Sequence, residues 1–198
     1  MNEIECLYKD LTLAAHRAYE RNLQSGSGGN LSVRQGNGMI VKSSGGSFAD
    51  CDAAGNGWIF VDFNGNPMAH VTGKPTREWR LHAALLRQNP TVQAVVHCHA
   101  PWSVAWAYGH RELPMVTWQC RLKLGCPLPV LAIEAAVVPE EELPRVTALF
   151  AQNPALPAFI LRGHGLVAVG KSAVQAEHIA EMVEETAKIA VLQALLYR

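Results

Sequence analysis

The chain has 198 residues, of which 49% are hydrophobic and 17% are charged, a composition typical of a compact globular protein rather than a disordered or fibrous one. Lys plus Arg and Asp plus Glu number 17 each, so the formal net charge is zero. Because the basic residues are also scattered, no nucleic-acid or membrane partner is expected. The five cysteines form no Cys-x-x-Cys pair and the N-terminus is unlike a secretory signal, which together predict a cytoplasmic protein with reduced thiols.

The first half of the chain predicts two helices and three short strands. Apolar residues three and four apart predict a helix over residues 3–24, followed by a glycine cluster at 25–30. Short apolar runs bounded by Gly, Ser, Asp and Asn predict strands at 31–34, 39–41 and 58–61. A second helix is predicted over residues 75–89, with Pro75 and Thr76 near its start.

The second half begins with a valine-rich run at 92–99 that predicts a central strand covered on both faces. A helix is predicted to follow at 101–106, then strands at 129–133, 158–161 and 166–169. The last predicted helix spans residues 172–197, with Ser172 and Gln175 as a capping box. Without a long linker or an internal repeat, residues 1–198 are expected to form a single α/β domain with helices on both faces of a mixed sheet.

Three of the eight histidines are candidate metal ligands. His97 and His99 alternate on the predicted central strand, so their side chains project from the same face. This spacing fits a shared metal ion and a hydrogen-bonded structural pair equally well. His164 lies between Gly163 and Gly165 at a predicted turn, and it is either a third ligand of a catalytic zinc site or a simple turn residue.

The remaining polar candidates also have structural interpretations. Five histidines lack partners of this kind and are expected to be satisfied or exposed: His16, His70, His82, His110 and His178. Glu78 lies in the first turn of the predicted second helix, where the helix dipole alone favours a carboxylate. The glycine cluster at 26–30 and the segment 43–46 could each form an anion-binding nest, although such turns are common.

Taken in order, these segments resemble the class II aldolase/adducin family. The matching segments cover most of the chain: Gly29-Asn30-Leu31-Ser32, Ser44-Gly45, Pro75-Thr76-Arg77-Glu78 with His82, Val96-His97-Cys98-His99-Ala100, and His164-Gly165. The resemblance implies a three-layer α/β/α fold with a mixed, mostly antiparallel sheet, and commonly a homotetramer with active sites between subunits.

The resemblance also implies a set of site residues. A divalent ion, usually Zn²⁺ and alternatively Mn²⁺ or Co²⁺, would be held by His97, His99 and His164, with Glu78 as acid/base and a possible fourth ligand. The substrate phosphate would lie among polar residues of the loops, namely Ser27, Gly29, Asn30, Ser44, Gly45, Thr76 and, facing the anionic end of the substrate, Arg77.

The activity implied is that of a lyase: a metal-dependent aldolase that reversibly cleaves a small ketose phosphate to dihydroxyacetone phosphate and an aldehyde. Alternatives on the same site are a sugar-phosphate 4-epimerase, a methylthioribulose-phosphate dehydratase and an oxo-tetronate-phosphate decarboxylase. A non-catalytic module similar to adducin is a further alternative, but such modules lack the metal ligands. The complete ligand set favours an enzyme.

Two residues depart from the fuculose-phosphate aldolases that the chain resembles. Arg77 stands where those enzymes have a serine, and its guanidinium favours a carboxylate or a differently placed phosphate, unless it turns outward. Trp118 stands where they have a tyrosine that assists proton transfer, and an indole N–H cannot act as a comparable acid. Both departures leave the candidate metal ligands intact and bear on the substrate and the exact reaction.

Overall fold

The computed structural model describes residues 2–68 and 73–197, so that His70 lies outside the described residues. The helices are α1 (Glu3–Glu20), α2 (Trp79–Gln88), α3 (Pro101–Ala107), α4 (Trp118–Leu124), α5 (Leu143–Gln152) and α6 (Ala173–Leu196). The strands are β1 (Asn30–Gln35), β2 (Gly38–Lys42), β3 (Trp58–Asp62), β4 (Ala94–Cys98), β5 (Glu112–Leu113), β6 (Leu128–Leu131), β7 (Ala158–Leu161) and β8 (Gly165–Gly170). Short 3₁₀ turns lie at Phe48–Asp50 and Glu140–Glu142.

The described strands form one eight-stranded sheet in the order β3-β2-β1-β4-β8-β7-β6-β5. Neighbouring strands are antiparallel except for the parallel pair β6 and β7. Helices α1, α3 and α6 pack together on one face, and α2 packs with α5 on the other. Every residue of the central strand β4 is buried, as its valine-rich sequence predicts. The predicted α/β/α architecture with a mostly antiparallel sheet is therefore confirmed.

The second helix begins later than the sequence predicts. Pro75 forms a β-bridge with Ser43, and the Thr76 N–H donates to the Lys42 carbonyl oxygen at 2.9 Å. Because this segment continues the pairing of β2, the helix starts only at Trp79. Glu78 consequently occupies the N-cap position instead of the first helical turn, where it was predicted.

Helices α4 and α5 were not predicted. The seven residues of α4 place Trp118 and Leu122 outward, 84% and 79% exposed, so their spacing marks no stripe facing the core. The spacing of Val146, Leu149 and Phe150 in α5 does form such a stripe. That signal was available in the sequence, but it is short.

The last helix is capped by Ser172, as predicted, and also by a residue from α1. Ser172 Oγ accepts from the Gln175 N–H at 3.1 Å, while the Gln175 side chain accepts from the Lys171 N–H instead of completing a capping box. The Asp10 carboxylate accepts from the Ala173 N–H at 2.6 Å. A negative charge at a helix N-terminus is favourable, so Asp10 joins α1 to α6.

The sheet topology brings four chain segments to one end of the sheet. Strand β1 is antiparallel to β2 and β4, and β4 is antiparallel to β8. The starts of β1 and β8 therefore lie beside the ends of β2 and β4. The turn between β7 and β8 is tight, with Gly163 at φ 68° and the His164 N–H donating to the Leu161 carbonyl oxygen. Only glycine adopts this left-handed conformation without strain.

Gly165 should be required for the close packing of β8 on the end of β4. A Cβ at Gly165 would collide with the Cys98 carbonyl oxygen and lie 3.0 Å from the His99 Cα. Gly165→Ala should therefore lower the free energy of unfolding by about 1–3 kcal/mol, as measured by urea denaturation. Gly109→Ala is the matched control, because a Cβ at Gly109 meets nothing within 4 Å. Equal stability of the two variants would contradict this packing argument.

Candidate metal centre and active site

Three histidines meet at the end of the sheet described above. His97 lies on β4, His99 follows that strand directly, and His164 lies in the turn before β8. One ring nitrogen from each lies within 4.8 Å of the others. The Nε2 atoms of His97 and His164 are 3.2 Å apart. The alternating pair and the glycine-flanked histidine, distant in sequence, thus form one cluster.

The surroundings of the cluster favour neutral imidazoles. His97 Nδ1 lies 2.9 Å from the Leu166 carbonyl oxygen, which can only accept, so Nδ1 carries the proton and Nε2 has a free lone pair. Burial, with the neighbouring histidines, holds the pKa of His97 well below its usual value. Burial also lowers the pKa of His99 and brings that of His164 to about 4. Neutral imidazole is the form that binds a metal ion.

The residues present fit a divalent metal ion. Three imidazole nitrogens with one further open or carboxylate position form the donor set typical of a catalytic zinc site. The backbone N–H of His99 donates to the Gln24 side chain at 2.9 Å, which fixes the chain beside the cluster. The donor set therefore matches that of a catalytic zinc site.

Glu78 is buried, 5% exposed, and one of its carboxylate oxygens is free. Its Oε1 accepts from the Val138 N–H at 2.9 Å, whereas Oε2 has no hydrogen-bond partner among the described residues. Burial raises the pKa of Glu78, partly offset by the Val138 hydrogen bond and the charge of Arg77. A carboxyl group with a raised pKa keeps its proton closer to neutral pH, as a general acid/base requires.

Glu78, His99 and His164 line a common cleft of about 230 Å³. The same cleft is lined by every residue predicted to hold the substrate phosphate: Ser27, Gly29, Asn30, Ser44, Gly45, Thr76 and Arg77. The side chain of Arg77 is exposed and forms no ion pair with any residue in the described ranges. The fold thus brings together residues from five separate segments of the sequence.

Lys42 also lines the cleft, and sequence reasoning missed it. It is 2% exposed, and its ammonium group donates to the Ser43 carbonyl oxygen at 3.2 Å. Within the described parts of the chain no carboxylate forms an ion pair with it, and burial lowers its pKa. The sequence did contain a signal for Lys42, because it is the single charged residue of strand β2 and lies directly before Ser43.

The other described histidines are satisfied or exposed, as expected. His16 bonds the Cys51 carbonyl oxygen, His110 stacks on Trp106, and the side chain of His178 is 53% exposed. His82 is fully buried, and both its ring nitrogens are hydrogen-bonded. One of its hydrogen-bond partners is Asn30, a residue of the cleft. The sequence did not indicate this contact.

Trp118 does not line the cleft of its own chain. It begins helix α4, where its ring is 84% exposed and 5.3 Å from the Arg121 guanidinium.

Residues 9–191 match the family model of the class II aldolase and adducin N-terminal domain. The protein belongs to the class II aldolase/adducin family. It is 32% identical over 175 residues to the 5-methylthioribulose-1-phosphate/5-deoxyribulose-1-phosphate aldolase of Rhodospirillum rubrum, covering 88% of this chain and 76% of that protein. It is 31% identical over 168 residues to the L-fuculose phosphate aldolase of Escherichia coli K12, covering 84% and 74%.

The fold is also that of a solved aldolase. The crystal structure of L-fuculose-1-phosphate aldolase from Thermus thermophilus superposes with a TM-score of 0.82 over 96% of this chain and 94% of that chain. At 24% sequence identity, this similarity shows a shared fold. Family membership thus agrees with the fold and with the resemblance noted in the sequence.

Proposed function

We propose that the protein is a metal-dependent aldolase that reversibly cleaves a small ketose phosphate to dihydroxyacetone phosphate and an aldehyde. One observation carries the proposal: a buried carboxyl group with a free oxygen, that of Glu78, lines the same cleft as His99 and His164. The two curated relatives described above are both named as aldolases of ketose phosphates, which supports the same reaction here.

The ligands of the ion would be His97, His99 and His164, with Glu78 as a possible fourth. Zn²⁺ is the proposed ion because three neutral imidazoles suit it, and Mn²⁺ or Co²⁺ are the alternatives. When bound, the ion supplies Lewis-acid stabilisation of the negative charge that develops beside the substrate carbonyl.

The proton transfer at carbon is assigned to Glu78. Cleavage breaks the bond between C3 and C4 and leaves its electron pair on C3, while C4–O becomes the aldehyde carbonyl. The proton of the C4 hydroxyl passes to solvent water, from which the Glu78 carboxylate regains a proton after each turnover. Glu78 Oε2 donates a proton to C3 to give dihydroxyacetone phosphate, and in the reverse reaction it removes that proton. The raised pKa of Glu78 favours the protonated form that the cleavage direction needs.

The phosphate end of the substrate is assigned to the loop residues of the cleft. Hydroxyl groups, backbone amides and the Asn30 side chain would hold the phosphate and position the reacting carbon. The positive charges of Lys42 and Arg77, which form no ion pair in the described part of the chain, favour an anionic ligand. The residues proposed are Ser27, Gly29, Asn30, Ser44, Gly45, Thr76 and Arg77, with Lys42 added from the structure.

The proposal includes a cytoplasmic homotetramer of single-domain chains. Large apolar side chains are exposed on α4 and at the end of α6, which supports burial against further copies of this chain: Trp118, Leu122, Leu195, Leu196 and Tyr197. The five cysteines are all free, which supports a reducing compartment. Among the described helices, none is both long enough and apolar enough to cross a bilayer. One continuous buried core supports a single domain over residues 1–198.

A substrate screen tests the activity. The purified, zinc-loaded protein would be incubated with L-fuculose 1-phosphate, 5-methylthioribulose 1-phosphate, 5-deoxyribulose 1-phosphate and a panel of oxo-acid phosphates. Release of dihydroxyacetone phosphate with an aldehyde is the expected result. Epimer formation, dehydration or release of carbon dioxide without aldehyde would overturn the aldolase assignment in favour of a related enzyme. No turnover of any substrate would favour the adducin-like alternative.

Measuring the metal content of histidine variants tests the ligand assignment directly. Single replacements of His97, His99 and His164 by alanine should each lower the affinity for Zn²⁺ at least about 10-fold, because one of three protein ligands is lost. His178→Ala is the control, since its side chain is exposed and is not part of the cluster. Elemental analysis after dialysis measures the effect. Full zinc retention in all three variants would refute the ligand assignment.

Glu78→Gln should lower the turnover number about 100-fold or more, because an amide cannot exchange a proton with C3. Gln retains an oxygen that can accept from the Val138 N–H and carries no charge to desolvate. The free energy of unfolding at neutral pH and the zinc content should therefore not fall greatly. Glu140→Gln is the control, since its carboxylate is 76% exposed and pairs with Arg80 outside the cleft. Normal turnover in Glu78→Gln would move the acid/base role to another group.

Arg77→Ser should raise the KM for the substrate about tenfold and leave the zinc content unchanged. The reason is that a guanidinium contact to phosphate or carboxylate contributes about 1.5–3 kcal/mol. Arg80→Ser is the matched control, because Arg80 pairs with Glu140 and does not line the cleft. Identical KM values for Arg77→Ser and the unmodified protein would mean that Arg77 points to solvent.

A further inference from the structure

A buried chain of hydrogen bonds runs from the sheet through α2 to the cleft. Nδ1 of His82 lies 2.7 Å from Ser32 Oγ, and its Nε2 lies 2.5 Å from Asn30 Oδ1. His82 and Ser32 are both 0% exposed, whereas Asn30 lines the cleft. Burial lowers the pKa of His82 to about 3. The imidazole is therefore neutral near pH 7 and carries one N–H.

A neutral imidazole between two partners allows two directions of donation. In the first, the Ser32 hydroxyl donates to His82 Nδ1, and the His82 Nε2–H donates to Asn30 Oδ1. In the second, His82 Nδ1–H donates to Ser32 Oγ, and the Asn30 amide is flipped so that its NH₂ group donates to Nε2. The two arrangements differ only in the direction of donation. The oxygen and nitrogen atoms of the Asn30 amide exchange places between them, and these two atoms are nearly indistinguishable by position.

The Ser32 hydroxyl selects the first direction. His82 is the one hydrogen-bond partner of Ser32 Oγ within the described residues, and Ser32 has no access to water. In the second direction its hydroxyl hydrogen would be buried without an acceptor, which is costly. In the first direction each buried donor of Ser32 and His82 has an acceptor. Asn30 Nδ2 then points away from His82, and it has no protein partner in the ranges that the structure describes.

We infer that Ser32 and His82 are positioning residues that hold the Asn30 amide with its NH₂ group toward the cleft, so that the cleft binds an acceptor oxygen of the ligand there. A ligand group that presents a hydrogen instead would meet a second donor and be rejected. That oxygen belongs either to the phosphate or to the reacting part of the substrate. The identity of the ligand rests on the proposed function, whereas the direction of donation does not.

The direction of donation can be measured without any substrate. Nitrogen NMR of the protein labelled with ¹⁵N-histidine distinguishes a protonated from an unprotonated ring nitrogen, and the spectrum of His82→Gln identifies the His82 signals. We expect His82 to be neutral near pH 7 with its proton on Nε2. A proton on Nδ1 would overturn the inference. This result stands whether or not the protein proves to be an aldolase.

The consequence for the cleft is tested with two variants of His82. Gln can accept from Ser32 through its oxygen and donate to Asn30 through its NH₂ group, so His82→Gln can preserve the direction of donation, whereas His82→Leu cannot. Inorganic phosphate, bound to the zinc-loaded protein and followed by calorimetry, reports on the phosphate end. The turnover number with the substrate found by the screen reports on the reacting end. His16→Leu is the control for loss of a histidine outside the cleft.

We expect His82→Leu to weaken phosphate binding, or to lower the turnover number, about tenfold, with His82→Gln recovering most of the loss. An effect on phosphate affinity assigns the acceptor oxygen to the phosphate. An effect on turnover with unchanged phosphate affinity assigns it to the reacting part of the substrate. If His82→Leu folds and changes neither quantity, the inference is wrong. If His82→Leu does not fold, Asn30→Asp takes its place: one carboxylate oxygen can still accept from the His82 Nε2–H, but the group presents no hydrogen to the cleft. The same loss of phosphate affinity or turnover is then expected, and no change in either would overturn the inference.

Discussion

The antiparallel pairing of β4 with β8 is the constraint on which the candidate site depends. It places the end of β4 beside the start of β8, so that the pair His97 and His99 meets His164, which comes from a distant segment. The same pairing supplies the Leu166 carbonyl oxygen, which fixes the protonated nitrogen of His97. Gly165 has no side chain to keep the two strands apart. The geometry of the cluster therefore depends on the strand pairing that holds the turn at His164 beside the end of β4.

Burial gives the site its electrostatic character. It lowers the pKa values of the three histidines, and it raises that of Glu78. Neutral imidazoles offer lone pairs without repelling a cation, and a carboxyl group with a raised pKa can both hold and release a proton. Lys42 favours an anion in the same cleft, because its buried ammonium group forms no ion pair with a carboxylate in the described parts of the chain. The same cleft is thus lined both by histidines that suit a cation and by a lysine that favours an anionic ligand.

The sequence predicted those parts of the site whose geometry is determined by residues close together in the chain. Alternation on a strand placed His97 and His99 on one face, and the flanking glycines marked the turn at His164. The second helix was predicted to start at residue 75 instead of Trp79, which placed Glu78 in its first turn. Pro75 and Thr76 pair with the end of β2 instead. Such pairing depends on residues that are distant in the sequence. Helices α4 and α5 were missed because α4 turns its large apolar residues outward and α5 carries only a short apolar stripe.

The roles of Lys42 and His82 could not be read from spacing, since both depend on three-dimensional burial. A lysine at a strand end and a histidine on a helix are ordinary surface residues until the fold removes them from water. Once buried, each must be satisfied by specific partners. For His82 those partners are a core hydroxyl on one side and a cleft amide on the other. A structural histidine and a functional one are therefore not alternatives here: the requirement that Ser32 keep its hydrogen bond in the core determines which atom of Asn30 meets the ligand.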